Sequence, residues 1–182
     1  VYNNIIAISG NGATNNYGIQ IEDPTVNNPV DYRKFYIANN TVVVKGTATT
    51  SYGLYIKFYL ENNYISIQND IISITNTSEL DNAYGIYFNN THDGTTLPVY
   101  NSCVYTNGSS NNIHATGTNI ITPLADTNSI TTNPNLDAAT YALTASSPVE
   151  ARQGGQDLSS AFTVDITGAT RTAPWSMGAY EY

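Results

Sequence analysis

The chain has 182 residues, 41% apolar and only 11% charged, with six Lys plus Arg against fourteen Asp plus Glu for a formal charge of −8. That length suits one domain with a real core, and the negative balance argues against nucleic acid or an anionic membrane as partner. No apolar run is long enough to span a bilayer as a helix, and the single cysteine, Cys103, rules out an internal disulfide or a thiolate metal cluster.

Taken in chain order, apolar residues alternate at Ile6/Ile8, Ile19/Ile21, Val42/Val44, Ile65/Ile67 and Ile72/Ile74. Period two predicts short strands with one face in and one face out. Asn, Gly, Asp and Thr separate them, and Asn and Gly tolerate the left-handed backbone that tight corners need. No stretch holds a helical period beyond about two turns.

The segments also repeat. Asn3-Asn4-Ile5-Ile6-Ala7-Ile8, Asn39-Asn40-Thr41-Val42-Val43-Val44 and Asn62-Asn63-Tyr64-Ile65-Ser66-Ile67 look alike, at spacings of 36 and 23 residues. Tyr17-Gly18-Ile19, Tyr52-Gly53-Leu54 and Tyr84-Gly85-Ile86 form a second series, spaced by 35 and 32. Such repeats predict an all-β, right-handed parallel β-helix solenoid, with loops inserted at corners over residues 22–34 and 89–98. An antiparallel β-sandwich is the alternative, since it too uses many short strands. In the solenoid, Asn4, Asn40 and Asn63 are expected to stack as a corner ladder.

From residue 99 the chain changes character. It contains Asn133-Pro134-Asn135, Tyr141-Ala142-Leu143, Ser147-Pro148, Asp165-Ile166-Thr167-Gly168-Ala169-Thr170-Arg171 and a final Gly178-Ala179-Tyr180-Glu181-Tyr182. This resembles the closing segment of secreted bacterial right-handed β-helix proteins of the pectate-lyase-like superfamily. The resemblance implies fold and a secreted or cell-surface location, not a reaction, and no catalytic residue is carried over from it. The expected division is coils with inserted loops over 1–98, then last coils and closing segment over 99–182. Val1 falls inside a coil, so additional coils or domains preceding it in a longer parent are expected. Asp165 and Arg171, six residues apart around Gly168, are expected to form an ion pair that fixes the tail. Trp175 and Met177 are expected to cover the open end of the last coil, with sugar stacking the competing reading of Trp175.

The chemistry-bearing residues are sparse. The acid pairs nearest to a glycosidase signal are Glu22-Asp23 and Glu79/Asp81, but strand neighbours point to opposite faces. Lys45 and Lys57 are candidate bases for a lyase if the coils place them on one face. His92 and His114 are isolated, and no metal site or cofactor is expected, with Ca²⁺ reserved for the lyase case. Cys103 reads as a small buried hydrophobe. Ligand contact is assigned to Tyr52, Tyr55, Tyr84, Tyr87, His92 and Asp93, because an outward tyrosine stripe suits glycan contact. The expected function is therefore a non-catalytic extracellular β-helix, a structural shaft or an adhesive surface touching a polysaccharide or surface glycan. The alternatives are the C-terminal part of a polysaccharide lyase or glycoside hydrolase, and a segment of a viral tail fibre or spike on the virion surface.

Overall fold

A computed structural model describes residues 1–22, 34–57, 64–76, 82–91, 99–107, 112–117 and 128–182. The chain is a right-handed parallel β-helix with an irregular closing segment. The strands are β1 (Ile5–Gly10), β2 (Asn15–Glu22), β3 (Lys34–Ala38), β4 (Thr41–Gly46), β5 (Thr50–Lys57) and β6 (Tyr64–Gln68). They continue as β7 (Ile71–Asn76), β8 (Ala83–Thr91), β9 (Val99–Tyr100), β10 (Cys103–Thr106) and β11 (Ile113–Gly117), before one short helix, α1 (Val149–Gln153). Each sheet collects every third strand. The first runs β1-β4-β7-β10, the second β2-β5-β8-β11 and the third β3-β6-β9, all paired in parallel.

Period-two alternation builds the core. In the first sheet Ile6, Val42, Ile72 and Val104 align in register, and Ile8, Val44 and Ile74 align beside them. Ile19, Leu54, Ile86 and Ile113 form the matching column of the second sheet. Ile37, Ile67 and Val99 close the third side. Every middle-coil member of these columns is nearly or fully buried. Each such side chain stabilises the fold by about 1.5–3 kcal/mol, so like-on-like stacking supplies the driving force.

The structure changes one sequence alignment. Tyr64–Gln68 pairs with Lys34–Ala38 in the third sheet, not with Thr41–Gly46 in the first. The corner equivalent to Asn3-Asn4 and Asn39-Asn40 is Asn69-Asp70, followed by Asn101-Ser102. An aspartate at the second position hid the third doublet, while Asn62-Asn63 copied its pattern ahead of a different strand. Asn62 and Asn63 lie outside the described residues.

Candidate functional site

Two interlocked aromatic rows cover the outer face of the second sheet. Tyr17, Tyr52 and Tyr84 stack along the solenoid with centroids 5.1 and 5.4 Å apart. Tyr55, Tyr87 and His114 stack beside them at 5.7 and 5.2 Å. Edge-to-face contacts join the rows, as between Tyr52 and Tyr55 at 5.1 Å and between Tyr84 and Tyr87 at 4.9 Å. Each contact of this type adds about 0.5–1.5 kcal/mol beyond area burial. The glycine of the motif explains the three-residue spacing of Tyr52 and Tyr55. A Cβ at Gly53 would meet Ile72 Cγ2 and the Gly85 carbonyl oxygen, and Gly18 and Gly85 face equivalent neighbours. Gly53 and Leu54 therefore both turn inward, and the flanking tyrosines both turn out.

Ring stacking has a chemical consequence. The faces of Tyr52, Tyr55, Tyr84 and Tyr87 are taken up by one another, and Tyr55 is only 9% exposed. Burial, with neighbouring tyrosines adding to it, pushes the Tyr52 phenol up to about 12 and raises those of Tyr17 and Tyr87. These hydroxyls remain protonated donors at neutral pH. Tyr55 accepts from Asn89 Nδ2 at 2.8 Å. His92 and Asp93, the other expected contact residues, lie outside the described residues.

The corner between the third and first sheets divides its labour between two positions. Asn3, Asn39, Asn69 and Asn101 all have positive φ, between 47° and 55°. Asparagine tolerates that conformation better than most residues. The following residues form an internal ladder at separations of 36, 30 and 32 residues. Asn4 Nδ2 donates to Asn40 Oδ1 at 3.0 Å, and Asn40 Nδ2 donates to Asp70 Oδ1 at 2.9 Å. The Asp70 amide donates to Ser102 Oγ at 3.1 Å. Asn4 and Ser102 also donate to the carbonyls two residues upstream, Tyr2 and Tyr100. Asp70 breaks this pattern: its Oδ2 is buried without a hydrogen-bond partner. Burial pushes its carboxyl up to about 7, against the lowering effect of the Asn40 donors. The group is fully shielded from solvent, so it touches no substrate.

The left-handed asparagines hold the tail. Asn101 Nδ2 donates to the Gly154 carbonyl at 2.7 Å. Asn69 makes a two-way pair with the Gln156 backbone, both bonds at 2.7 Å. Asn3 Nδ2 donates to the Val164 carbonyl, and its Oδ1 accepts from Arg171 Nη2 at 3.1 Å. The tail thus straps the flank of the stack and reaches back to the first coil. Met177 packs with Ile71, Cys103, Leu143 and Ala151 on the outer side of the first sheet. Trp175 is buried against Phe162 and beneath the Arg171 guanidinium, and Phe162 stacks on Tyr2. These residues cover a flank, not the open end of the last coil.

Arg171 has a different partner from the one expected. Its Nη1 donates to Glu181 Oε2 at 3.1 Å, and its Nη2 to the Gly178 and Ala179 carbonyls at 2.9 and 3.0 Å. Burial lowers its pKa while Glu181 and then Asp165 oppose that. The Asp165 carboxylate is turned inward on its own loop. It accepts from the amides of Thr167, Ala169 and Glu181 and from the Thr167 hydroxyl. These bonds outweigh partial burial and hold its pKa down. A short acidic side chain beside a tight turn caps that turn first, leaving the longer Glu181 for the arginine.

The two candidate bases, Lys45 and Lys57, do not share a face. Lys45 is on the first sheet, 5.3 Å over the Tyr141 ring, whereas Lys57 is on the second, 4.0 Å from Glu22. Asp23, Glu79 and Asp81 lie outside the described residues. Cys103 is fully buried, and desolvation pushes its thiol up to about 12. Among the described residues there is no group of three or more His, Cys, Asp or Glu placed to hold a metal, and no helix is long and apolar enough to cross a membrane. Comparison with protein-family models, curated proteins and solved structures finds no match.

Proposed function

We propose that this chain is a non-catalytic β-helix module that works outside the cell as a structural shaft with a carbohydrate-contacting surface. The observation that carries the reading is the uninterrupted like-on-like stacking of one face, Tyr17-Tyr52-Tyr84 beside Tyr55-Tyr87-His114. Rows of this kind stiffen a solenoid along its axis and present a rim of ring edges and hydroxyls. Among the described residues, the carboxyl with its pKa raised towards neutrality, Asp70, is sealed in the corner ladder, which fits a non-catalytic module. A relationship to the pectate-lyase-like superfamily and secretion to a cell or virion surface belong to the same proposal, carried by the tail motifs.

The test is a glycan-array screen with the intact chain, followed by product analysis of every polysaccharide it retains. Binding without change in the polysaccharide is the expected outcome. Shortened or unsaturated products would show a lyase or hydrolase and overturn the non-catalytic reading.

A further inference from the structure

The carbohydrate-contacting reading leaves open where a sugar sits, and a second surface answers that better than the tyrosine rows. Two adjoining clefts of about 480 and 540 Å³ lie between the tail and the third sheet and share Asn101 and Asn128 as lining. Gln68 and Tyr100 are in register on neighbouring strands of that sheet, β6 and β9. Gln153, at the end of α1, and Gln156 wall the opposite side. We propose that this groove is a binding site for a neutral oligosaccharide, a proposal that rests on the carbohydrate-contacting reading above.

Three features of the groove fit that class of ligand. First, it is lined by side-chain amides. Asn128, Gln153 and Gln156 are exposed and make no side-chain hydrogen bond in the structure. An amide offers a donor and an acceptor in one plane, which matches vicinal sugar hydroxyls that both give and accept. Second, Tyr100 supplies an aromatic ring that is half-exposed and stacked on no other ring, unlike Tyr52 or Tyr55. As a lining residue of the 540 Å³ cleft, it offers an aromatic surface for the apolar side of a pyranose. Third, among the described residues Glu150 is the one charged residue lining the two clefts, so an acidic sugar meets repulsion there. A peptide fits less well, because Ile130 and Val149 are the aliphatic side chains among the described lining residues and offer few apolar anchors.

The experiment is titration calorimetry of the full chain with cello-, manno-, xylo- and galacto-oligosaccharides, and with oligogalacturonate as the acidic comparator. Tyr100→Ala and a Gln153→Ala/Gln156→Ala double variant are measured beside wild type, with Lys45→Ala as a control on another face. Both glutamine side chains are exposed, so the double variant reads the groove even if Tyr100→Ala fails to fold. The expected result is binding of a neutral oligosaccharide that weakens about tenfold in Tyr100→Ala and several-fold in the double variant, unchanged in Lys45→Ala. Neutral binding that survives the groove variants overturns the groove and leaves carbohydrate contact standing elsewhere. Preference for oligogalacturonate overturns the neutral specificity. Silence towards every member of the panel overturns the groove and the carbohydrate-contacting reading together.

Discussion

The coil body and the tail solve the same problem by opposite means. In the body, each contact is made again one coil later: aliphatic on aliphatic, tyrosine on tyrosine, corner amide on corner amide or carboxylate. In the tail, nearly every contact is made once, between residues as far apart as Asn3 and Arg171, 168 positions away. A repeated contact tolerates the loss of one member, because its neighbours persist on either side. A unique contact has no such reserve. The tail should therefore be the part of the molecule most sensitive to single polar substitutions, and the body the part most sensitive to changes in volume.

The largest expected effect is Arg171→Ala. It removes four hydrogen bonds and leaves Glu181 half-buried without its partner, a loss of about 3–5 kcal/mol measurable by chemical denaturation. Arg171→Lys should recover little of it, since an ammonium cannot span the same acceptors. A loss under about 1 kcal/mol would mean that the tail does not depend on this centre.

Asp70→Asn should act in the other direction, on the body. Burial pushes the folded carboxyl up to about 7, well above the ordinary carboxylate range. Its contribution is therefore complete at low pH and is lost as pH rises from about 4 through about 7. Wild-type stability should fall across that window by an amount on the order of a few kcal/mol. Asparagine would restore the ladder chemistry of Asn4 and Asn40 and donate towards the Gln68 carbonyl, as Asn4 does to Tyr2. Thermal melts of both proteins between pH 4 and pH 8 should converge at the acid end and separate at the other. Parallel curves would sink this account of Asp70.

Gly53→Ala tests volume in the body. The added methyl meets the Ile72 side chain and the Gly85 carbonyl oxygen, and should cost about 1–3 kcal/mol in equilibrium unfolding. The smallest and most discriminating change is at Asn69. Asn69→Gly keeps the left-handed corner and removes the Gln156 pair, whereas Asn69→Ala loses both. The two variants should differ by about 1 kcal/mol, with glycine the more stable. Faster amide exchange at Gln156 in both would place the strap's attachment where the structure has it.

Much of this contrast was legible in the sequence, and the division follows the physics. Period two at Ile6/Ile8 or Val42/Val44 is a local signal that marked the strands, and the repeats spaced by 23 to 36 residues marked the parallel coils. The Asn-Asn and Tyr-Gly series pointed to corners and an aromatic face. The register was harder, because Asn62-Asn63 imitates a corner whose true counterpart carries Asp70. The outward role of Asn3, Asn39, Asn69 and Asn101 was not visible, since their partners lie in a segment with no repeat to align. For the same reason Asp165 looked like the mate of Arg171, when local turn amides claim it and Glu181 takes its place. The groove at Tyr100 has no motif at all. It exists only because Gln153 and Gln156 are carried against the third sheet by the strap.

The most direct test of the central claim is mass spectrometry of a bound oligosaccharide after prolonged incubation with the intact chain. A non-catalytic module returns the ligand at its original mass, from a protein that held it. Recovery of cleaved or unsaturated fragments, absent from a control without protein, would contradict it.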